Sequence, residues 1–146
     1  IMAKFTTVGD LREWRVQLQA GKGAILQLSD ENDAVTPNAI ISNRRNADET
    51  VNVWTHLVFT YNGSADATGI NFYSNGVLVT GTDADDVNFV SMRDTTAVVE
   101  LGDGNNTSFF VGSMAGGPCC PFFVQAELTA AQVLNMYRLE RLSLGV

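Results

Sequence analysis

The chain has 146 residues, and with 45% hydrophobic and 17% charged residues its composition is typical of a single globular domain. The 16 acidic residues outnumber the 9 basic ones, and a net charge of −7 would repel a nucleic-acid backbone. No run of about 18 apolar residues is present, so the sequence predicts no membrane-spanning segment.

The first half of the chain reads as short strands separated by turns. Trp14, Val16 and Leu18 alternate with polar residues, which is the period-two pattern of a strand with one apolar face. Residues 43–52 are polar and rich in Asn and Arg, so we predict a loop there. The strands predicted in this half cover residues 13–19, 24–29 and 40–42.

Residues 54–79 predict two neighbouring antiparallel strands and a hairpin. Leu57, Phe59 and Tyr61 share one face of the first strand, whereas His56 belongs to the opposite face. The pattern restarts at Ile70, and Asn75-Gly76 supplies two residues that tolerate positive φ, as a type I′ hairpin turn demands.

The second half predicts further short strands and one helix near the end. Thr129 and Gln132 form a capping box, which predicts that a helix begins there. Short strands with turn signals between them favour an all-β fold, namely an antiparallel two-sheet jelly-roll sandwich with one short C-terminal helix. The strands predicted in this half, after the hairpin, cover residues 87–92, 97–101 and 108–111.

The strand-and-hairpin stretch also resembles the laminin-G-like, concanavalin A-like jelly-roll family over residues 12–138. A second motif, an acidic-hydrophobic-Thr turn at Glu127 that opens a short helix ending in Met136-Tyr137, follows in the family's order. The resemblance implies one domain over residues 1–146. The residues that carry the first motif are Trp54, His56, Tyr61, Asn62, Gly63, Tyr73, Asn75 and Gly76.

Family members usually have a strand or two ahead of the segment that matches residues 2–18. We therefore expect the chain to be either a piece of a longer protein or a domain whose missing edge a neighbouring subunit supplies. A bare apolar edge invites aggregation. We expect the edge to be occupied, either by Ile1–Phe5 folding back or by a strand from another chain.

Some glucanases share this fold, so catalysis has to be considered. Retaining enzymes need two carboxyl groups about 5–5.5 Å apart, which the family supplies from a Glu-x-Asp-x-x-Glu strand. The chain has no such run, and a triad with His56 would lack a nucleophile elbow. We predict that the protein is not an enzyme.

Three oxygen-rich loops make calcium the metal to consider, because Ca²⁺ takes six to eight oxygen ligands. The resemblance implies one calcium at a rim of the sandwich, and Asp83, Asp85 and Asp103 are the candidate ligands. The alternative is that these residues satisfy backbone groups in turns. The Asp83–Asp86 stretch is expected in a turn.

Sugar binding would use an exposed ring stacked on a pyranose, with polar groups nearby. Trp54 and Tyr73 are the candidate rings, and the loop residues Arg44, Arg45 and Asn46 are the candidate polar contacts. The alternative for each aromatic residue, as for Trp14, is a place in the core, since each falls in a patterned strand.

The segment around Cys119-Cys120 departs from the family pattern. Adjacent cysteines favour two reduced thiols over a strained disulfide ring. A single histidine in the chain gives zinc little support. The neighbouring Phe122 and Phe123 either bury against the helix or form an exposed patch for a partner.

The sequence favours a non-catalytic recognition or adhesion module, binding a glycan or a protein, outside cells or on a particle surface. The alternative is a structural virion protein that acts by assembly, as a homo-oligomer or within a larger particle. In that alternative, Leu142, Leu144 and Val146 at alternating positions add a strand to another subunit.

Overall fold

The computed structural model describes residues 2–6, 11–19, 23–30, 39–45, 53–102 and 122–144. A 3₁₀ turn over Ala67–Gly69 precedes the sixth strand. The strands and the helix are β1 (Met2–Thr6), β2 (Leu11–Gln19), β3 (Gly23–Asp30), β4 (Ala39–Arg45), β5 (Leu57–Tyr61), β6 (Ile70–Ser74), β7 (Val77–Val79), β8 (Gly81–Ala84), β9 (Val99–Leu101) and α1 (Ala130–Leu144).

The described strands form two antiparallel sheets, as the jelly-roll prediction requires. The larger sheet has the order β8-β4-β3-β2-β1-β9, and the smaller one has the order β5-β6-β7. Together with the single helix near the C-terminus, they confirm the predicted fold class.

The core lies between the two sheets. Leu26, Leu28 and Ile41 of the larger sheet are buried and belong to one cluster with Ile70 of the smaller sheet. Leu28 is paired in register with a residue of β2 and with Ile41 of β4. Side chains at paired positions lie on the same face of a sheet, so Leu26, Leu28 and Ile41 face the same way. Phe59 packs against the cluster, as the alternation in β5 predicts.

The hairpin turn between β6 and β7 has the predicted geometry. Asn75 and Gly76 have φ angles of 51° and 77°, both in the left-handed region that a type I′ turn uses. The Asn75 side chain also accepts a hydrogen bond from the backbone N–H of His56 at 3.0 Å. The turn therefore holds the segment that leads into β5.

The N-terminal strand β1 occupies the sheet position that was expected to be filled. It pairs with β2 on one side and with β9 on the other. The first of the two alternatives, Ile1–Phe5 folding back on the same chain, is confirmed for the described residues from Met2 onward. The register shifts between Lys4 and Phe5, which marks a β-bulge.

One loop prediction and one turn prediction are wrong. Residues 43–45 continue β4 rather than form a loop, and Asp83 lies in β8 rather than in a turn. The two errors have one cause, because β4 and β8 pair with each other and carry polar side chains at the sheet margin.

Residues 87–92 form no strand, although their apolar composition predicted one. Asp86 accepts a hydrogen bond from the backbone N–H of Asn88 at 2.9 Å and so folds the chain into a turn. Val87 and Val90 are exposed and only Phe89 is buried in the core. The predicted strand over 97–101 is present but shorter, and residues 108–111 lie outside the described part.

The helix α1 begins at the predicted capping box. Thr129 Oγ1 accepts from the backbone N–H of Gln132 at 3.3 Å, and Gln132 Oε1 accepts from the N–H of Thr129 at 2.8 Å. The helix runs on to Leu144, so Leu142 and Leu144 are helical. The proposal that they add a strand to another subunit is therefore wrong for these two residues; Val146 lies outside the described residues.

Helix α1 packs on the smaller sheet at its hairpin turn. A Cβ atom on Gly76 would lie 3.0 Å from Leu134 Cδ1 and 3.1 Å from Tyr137 Cβ, so the turn and the helix are in direct contact. Val133 is fully buried. Over the described ranges, the structure holds no helix with the length and apolar character needed to cross a membrane.

Candidate functional site

A shallow pocket of about 180 Å³ opens where the β8 edge of the larger sheet meets the smaller sheet. We call it the edge pocket. Its apolar lining includes Phe72 and Leu78. Its polar lining comes from Asn43, Thr68, Asn71, Thr80 and Asp83.

Asn43 joins the two sheets at the base of the edge pocket. Its Nδ2 donates to Asp83 Oδ1 at 2.6 Å and to the backbone oxygen of Ile70 at 3.2 Å. The Asn43 side chain follows Ile41 on the inward face of β4, and its register partner on β8 is Asp83. Strand pairing alone thus brings together an amide and a carboxylate that are 40 residues apart.

Gly81 makes this approach of the two strands feasible. A Cβ atom at Gly81 would lie 2.2 Å from Asn43 Oδ1 and 2.6 Å from the backbone oxygen of Arg44. Both distances are too short for real side-chain contacts, and one of the two atoms belongs to the backbone. The missing side chain therefore lets β8 and the Asn43 amide sit at the pocket wall.

The chemistry of the edge pocket suits a small polyhydroxylated group. Asp83 is exposed on β8 and keeps a second oxygen as an acceptor beyond its bond to Asn43. The Thr68 and Thr80 hydroxyls can donate or accept, while Leu78 offers an apolar surface beside them. A mixture of apolar walls and a few convergent polar groups is the usual composition of a small-molecule site.

The two predicted arginine contacts lie on opposite faces of β4. Arg45 Nη1 donates to Ser74 Oγ at 3.4 Å, and its guanidinium carbon lies 5.9 Å from the centre of the Phe72 ring. Since Gly81 pairs with Arg45 and both Gly81 and Phe72 line the edge pocket, Arg45 flanks it. Arg44 belongs to the outward face, because successive residues of a strand alternate. Asn46 lies outside the described residues.

The predicted stacking rings differ in exposure. Trp54 is 45% exposed, whereas Tyr73 is only 5% exposed. Tyr73 pairs with Val58 on the face of the smaller sheet opposite Phe72, so its ring is buried on the side away from the inter-sheet core and is not an open platform. Trp14 packs edge-on against Phe123 with ring centroids 4.6 Å apart. Phe123 thus has a core partner, although it is still half-exposed.

The predicted calcium ligands are already engaged in the fold. Asp83 binds Asn43, and Asp85 Oδ1 accepts from the backbone N–H of Ala67 at the 3₁₀ turn. Within the described ranges, no group of three or more His, Cys, Asp or Glu side chains gathers as a metal site would require. Asp103 and Cys119-Cys120 lie outside those ranges. The described residues alone therefore do not complete a calcium site.

The outward face of the larger sheet bears few acids over its described positions. The register places neutral and basic side chains next to one another across β2, β3 and β4, with Glu100 on β9. A retaining glucanase would need a pair of carboxyl groups on such a face. The side chains that the register places on this face in β2, β3 and β4 include Arg15, Gln17, Gln27, Ser42 and Arg44.

Sequence reasoning missed most of the edge pocket. Asn71, Thr68 and Thr80 stand out in no motif, and the polar composition of residues 43–52 predicts a loop at Asn43. The available signal was the continued alternation of Ile41, Asn43 and Arg45, which extends the strand past its apolar part.

A laminin-G-type family model, described as the concanavalin A-like lectin/glucanases superfamily, matches residues 2–116. The match spans well over half of the chain and includes every described strand. No curated protein and no solved structure matches the chain significantly.

Proposed function

The chain belongs to the concanavalin A-like lectin/glucanases superfamily, and from this premise we propose that it is a non-catalytic module that binds a glycan in the edge pocket. The superfamily membership supports a carbohydrate-binding or adhesion-type module in general. Laminin-G-like domains are typically extracellular or surface modules, so we place the protein outside the cell or on a particle surface.

The observation that carries the proposal is the composition of the edge pocket. Asp83 and Asn43 are linked by a 2.6 Å hydrogen bond and stand beside the hydroxyl of Thr80 and the apolar Leu78. A sugar ring presents the same mixture, with hydroxyls at its rim and C–H groups on its faces. The volume of about 180 Å³ lies below the roughly 300–1,000 Å³ of sites for drug-sized ligands, which favours a single ring or chain end.

The Asn43 contacts also preorganise the site. Because its amide is 7% exposed and bonded to both sheets, the Asp83 carboxylate is oriented before a ligand arrives. Preorganised polar groups lose less entropy on binding. The Arg45 guanidinium at the flank adds a donor next to the same opening.

The direct test is a glycan array followed by titration calorimetry with the neutral oligosaccharides that bind. Thr80→Val removes one hydroxyl of the edge pocket and should weaken binding by about ten-fold, since one lost hydrogen bond in a site is worth about 1 kcal/mol or somewhat more. Thr96→Val changes an exposed threonine far from the pocket and serves as the matched control. No binding at millimolar ligand, or equal losses in both variants, would remove the proposal.

The calcium prediction is tested in the same titrations. If Asp83, Asp85 and Asp103 hold a calcium ion, adding calcium raises the glycan affinity or the thermal stability, and a chelator reverses the gain. Asp85→Asn separates the two roles, because Asp85 belongs to the calcium set and is not part of the pocket lining. An unchanged stability and affinity with calcium would contradict the metal role alone.

A second function, assembly into a particle such as a virion, is favoured by the edge strand β9. Val99 and Leu101 are 54% and 51% exposed, and β9 stands last in the order of the described strands of the larger sheet. An apolar edge of this kind can accept a strand from another chain. Light scattering tests it. Assembly that Val99→Lys abolishes supports this function, and a monomer at all concentrations contradicts it.

A further inference from the structure

The chain contains two Asn-Gly pairs, at residues 62–63 and 75–76. An asparagine before a glycine is prone to lose its side-chain amide. The reason is steric, because a glycine has no Cβ atom to hinder its backbone nitrogen from reaching the Cγ atom of the asparagine. The surrounding structure decides whether that nitrogen can make the approach, and the two pairs differ in their surroundings.

The Asn75-Gly76 pair is held from both sides. Asn75 Oδ1 accepts a hydrogen bond from the His56 N–H at 3.0 Å, and the Asn75 N–H donates to the His56 carbonyl at 2.8 Å. Gly76 is buried beneath helix α1, where a Cβ atom would lie 3.0 Å from Leu134 Cδ1 and 3.1 Å from Tyr137 Cβ. Attack on Asn75 Cγ therefore requires that the turn and its helix contact open first.

The Asn62-Gly63 pair lies in an open loop between β5 and β6. Asn62, Gly63 and Ser64 are all exposed. A Cβ atom built on Gly63 would meet no atom within 4 Å, so the space on this side of its backbone is open to water. No opening of a buried contact has to precede movement of the Gly63 peptide on that side.

The Asn62 side chain is turned towards the peptide that would attack it. Its Oδ1 accepts a hydrogen bond from the Ser64 backbone N–H at 2.9 Å. This Asx turn folds the side chain over its own C-terminal peptide, and so keeps Cγ and the Gly63 nitrogen within one closed turn. The donated hydrogen bond also stabilises the negative charge that Oδ1 gains during the attack.

We propose that Asn62 is a site of spontaneous deamidation and that its isoaspartate product weakens the edge pocket. The Gly63 nitrogen gives its proton to hydroxide and bonds to Asn62 Cγ. The bond from Cγ to Nδ2 breaks, and ammonia leaves with a proton from water. Water then opens the resulting succinimide ring at either carbonyl, which yields aspartate or isoaspartate. The sequence of steps consumes one water molecule, releases one ammonia and oxidises nothing.

The isoaspartate product matters because Gly69 closes tightly against Asn62. A Cβ atom at Gly69 would lie 2.2 Å from Asn62 Oδ1 and 2.4 Å from Ser64 Oγ, and the Asn62 N–H donates to the Gly69 carbonyl at 3.2 Å. Isoaspartate routes the backbone through the former Cγ and adds a methylene to the chain at this contact. Thr68, the neighbour of Gly69, lines the edge pocket and is displaced with the loop. This step rests on the proposed glycan function of that pocket.

The aspartate product keeps the normal backbone. Its carboxylate accepts the same hydrogen bond from the Ser64 N–H, now strengthened by charge. Asn62→Asp reproduces this product and should bind the neutral glycan within about two-fold of the parent, because the charge of an exposed residue is screened. A larger loss in stored protein then belongs to isoaspartate.

The test stores the folded protein in warm, mildly alkaline buffer and follows both pairs by peptide mass spectrometry, with fragmentation that distinguishes isoaspartate from aspartate. Asn62 should deamidate faster than Asn75 by about ten-fold or more, because attack at Asn75 waits for a local opening. In denaturant the two pairs should react at similar rates, since the contacts that protect Asn75 are lost. Asn62→Gln keeps an amide but would have to close a larger ring, so its edge pocket should survive storage.

Two measurements then compare the isoaspartate form, separated by chromatography, with fresh protein. Hydrogen exchange should speed up at the Ala67 and Gly69 amides, which are bonded to Asp85 and to the Asp66 carbonyl in the intact loop. The affinity for neutral glycan should fall by about ten-fold, as loss of one hydrogen bond in the site would cause.

Three results would overturn the proposal. They are an Asn62 that stays intact in the folded protein while it reacts in denaturant, equal rates at Asn62 and Asn75 in the folded protein, and an isoaspartate form with the exchange and the glycan affinity of fresh protein. Fresh protein that binds no glycan contradicts the proposed function instead. The deamidation rates and the hydrogen exchange of the loop still decide the present inference in that case.

Discussion

His56 Nε2 lies 3.3 Å from Glu140 Oε2, and this contact ties the segment entering β5 to helix α1. Both side chains are largely buried, with 14% and 18% of their surface exposed. The Tyr137 ring packs 5.7 Å from the imidazole. His56 Nδ1 is buried without a hydrogen-bond partner, so the arrangement fits a neutral imidazole whose Nε2–H donates to the carboxylate.

We predict that helix docking weakens in acid. Burial lowers the pKa of His56 below its usual 6.5, an effect that outweighs the opposing influence of Glu140. A lowered folded-state pKa means that the unfolded chain takes up the proton first. The stability from this group is therefore complete above about pH 6.5 and declines as the pH falls through that value towards the folded pKa. NMR titration of the imidazole and thermal unfolding between pH 4 and 8 measure both quantities.

Two variants separate the causes. Glu140→Gln should lower the pKa of His56 further, because it removes the one group that raises it. His56→Gln should flatten the dependence of thermal stability on pH in this range, since glutamine does not titrate. A His56 pKa above 6.5 in the folded protein would contradict this account.

Gly81 is predicted to be intolerant of even one methyl group. In Gly81→Ala the new Cβ would meet Asn43 Oδ1 and the backbone oxygen of Arg44, and the second atom cannot rotate away. Overpacking of this kind costs about 1–3 kcal/mol of unfolding free energy. The melting temperature should fall, and the glycan affinity of the edge pocket should fall with it.

A double-mutant cycle with Asn43→Ala tests this cause. Removing the Asn43 amide relieves one of the two clashes, so Gly81→Ala should cost less stability in the Asn43→Ala background than in the parent. If Gly81→Ala unfolds at the parent's temperature, β8 does not approach β4 as described. If its cost is the same in both backgrounds, the Asn43 amide is not the clashing group.

The sequence predicted those parts of the fold that local chemistry determines. The β6–β7 hairpin depends on positive φ at Asn75 and Gly76, and the start of α1 depends on the capping pair Thr129 and Gln132; both signals lie within four residues. The strand predicted over residues 87–92 failed because the turn at Asp86 outweighed an apolar composition.

The candidate sites were predicted less well because pairing between distant strands builds them. Asn43 and Asp83 meet only because β4 pairs with β8 in one register. Arg44 and Arg45 stay predicted polar contacts, which the sequence singles out because apolar packing does not explain them. Because the sequence predicts a loop at these two positions, it does not reveal that they alternate to opposite faces of a strand. A polar strand at a sheet margin lacks the apolar alternation that identifies strands in sequence.

The position of β1 leads to a prediction about hydrogen exchange. Met2, Ala3 and Lys4 have partners in β2 and also in β9, so β1 is hydrogen-bonded along both sides within one chain. Backbone amides there should exchange slowly, and at the same rate in dilute and concentrated protein, because their protection needs no second molecule.

Ala3→Pro, which removes one amide and disrupts the ladder, should speed exchange in the adjoining residues of β2 and β9. Protection of β1 that develops only above a threshold concentration would instead show that another chain supplies the pairing. In that case the exposed Val99 and Leu101 of β9 would be the first place to look for the intermolecular contact.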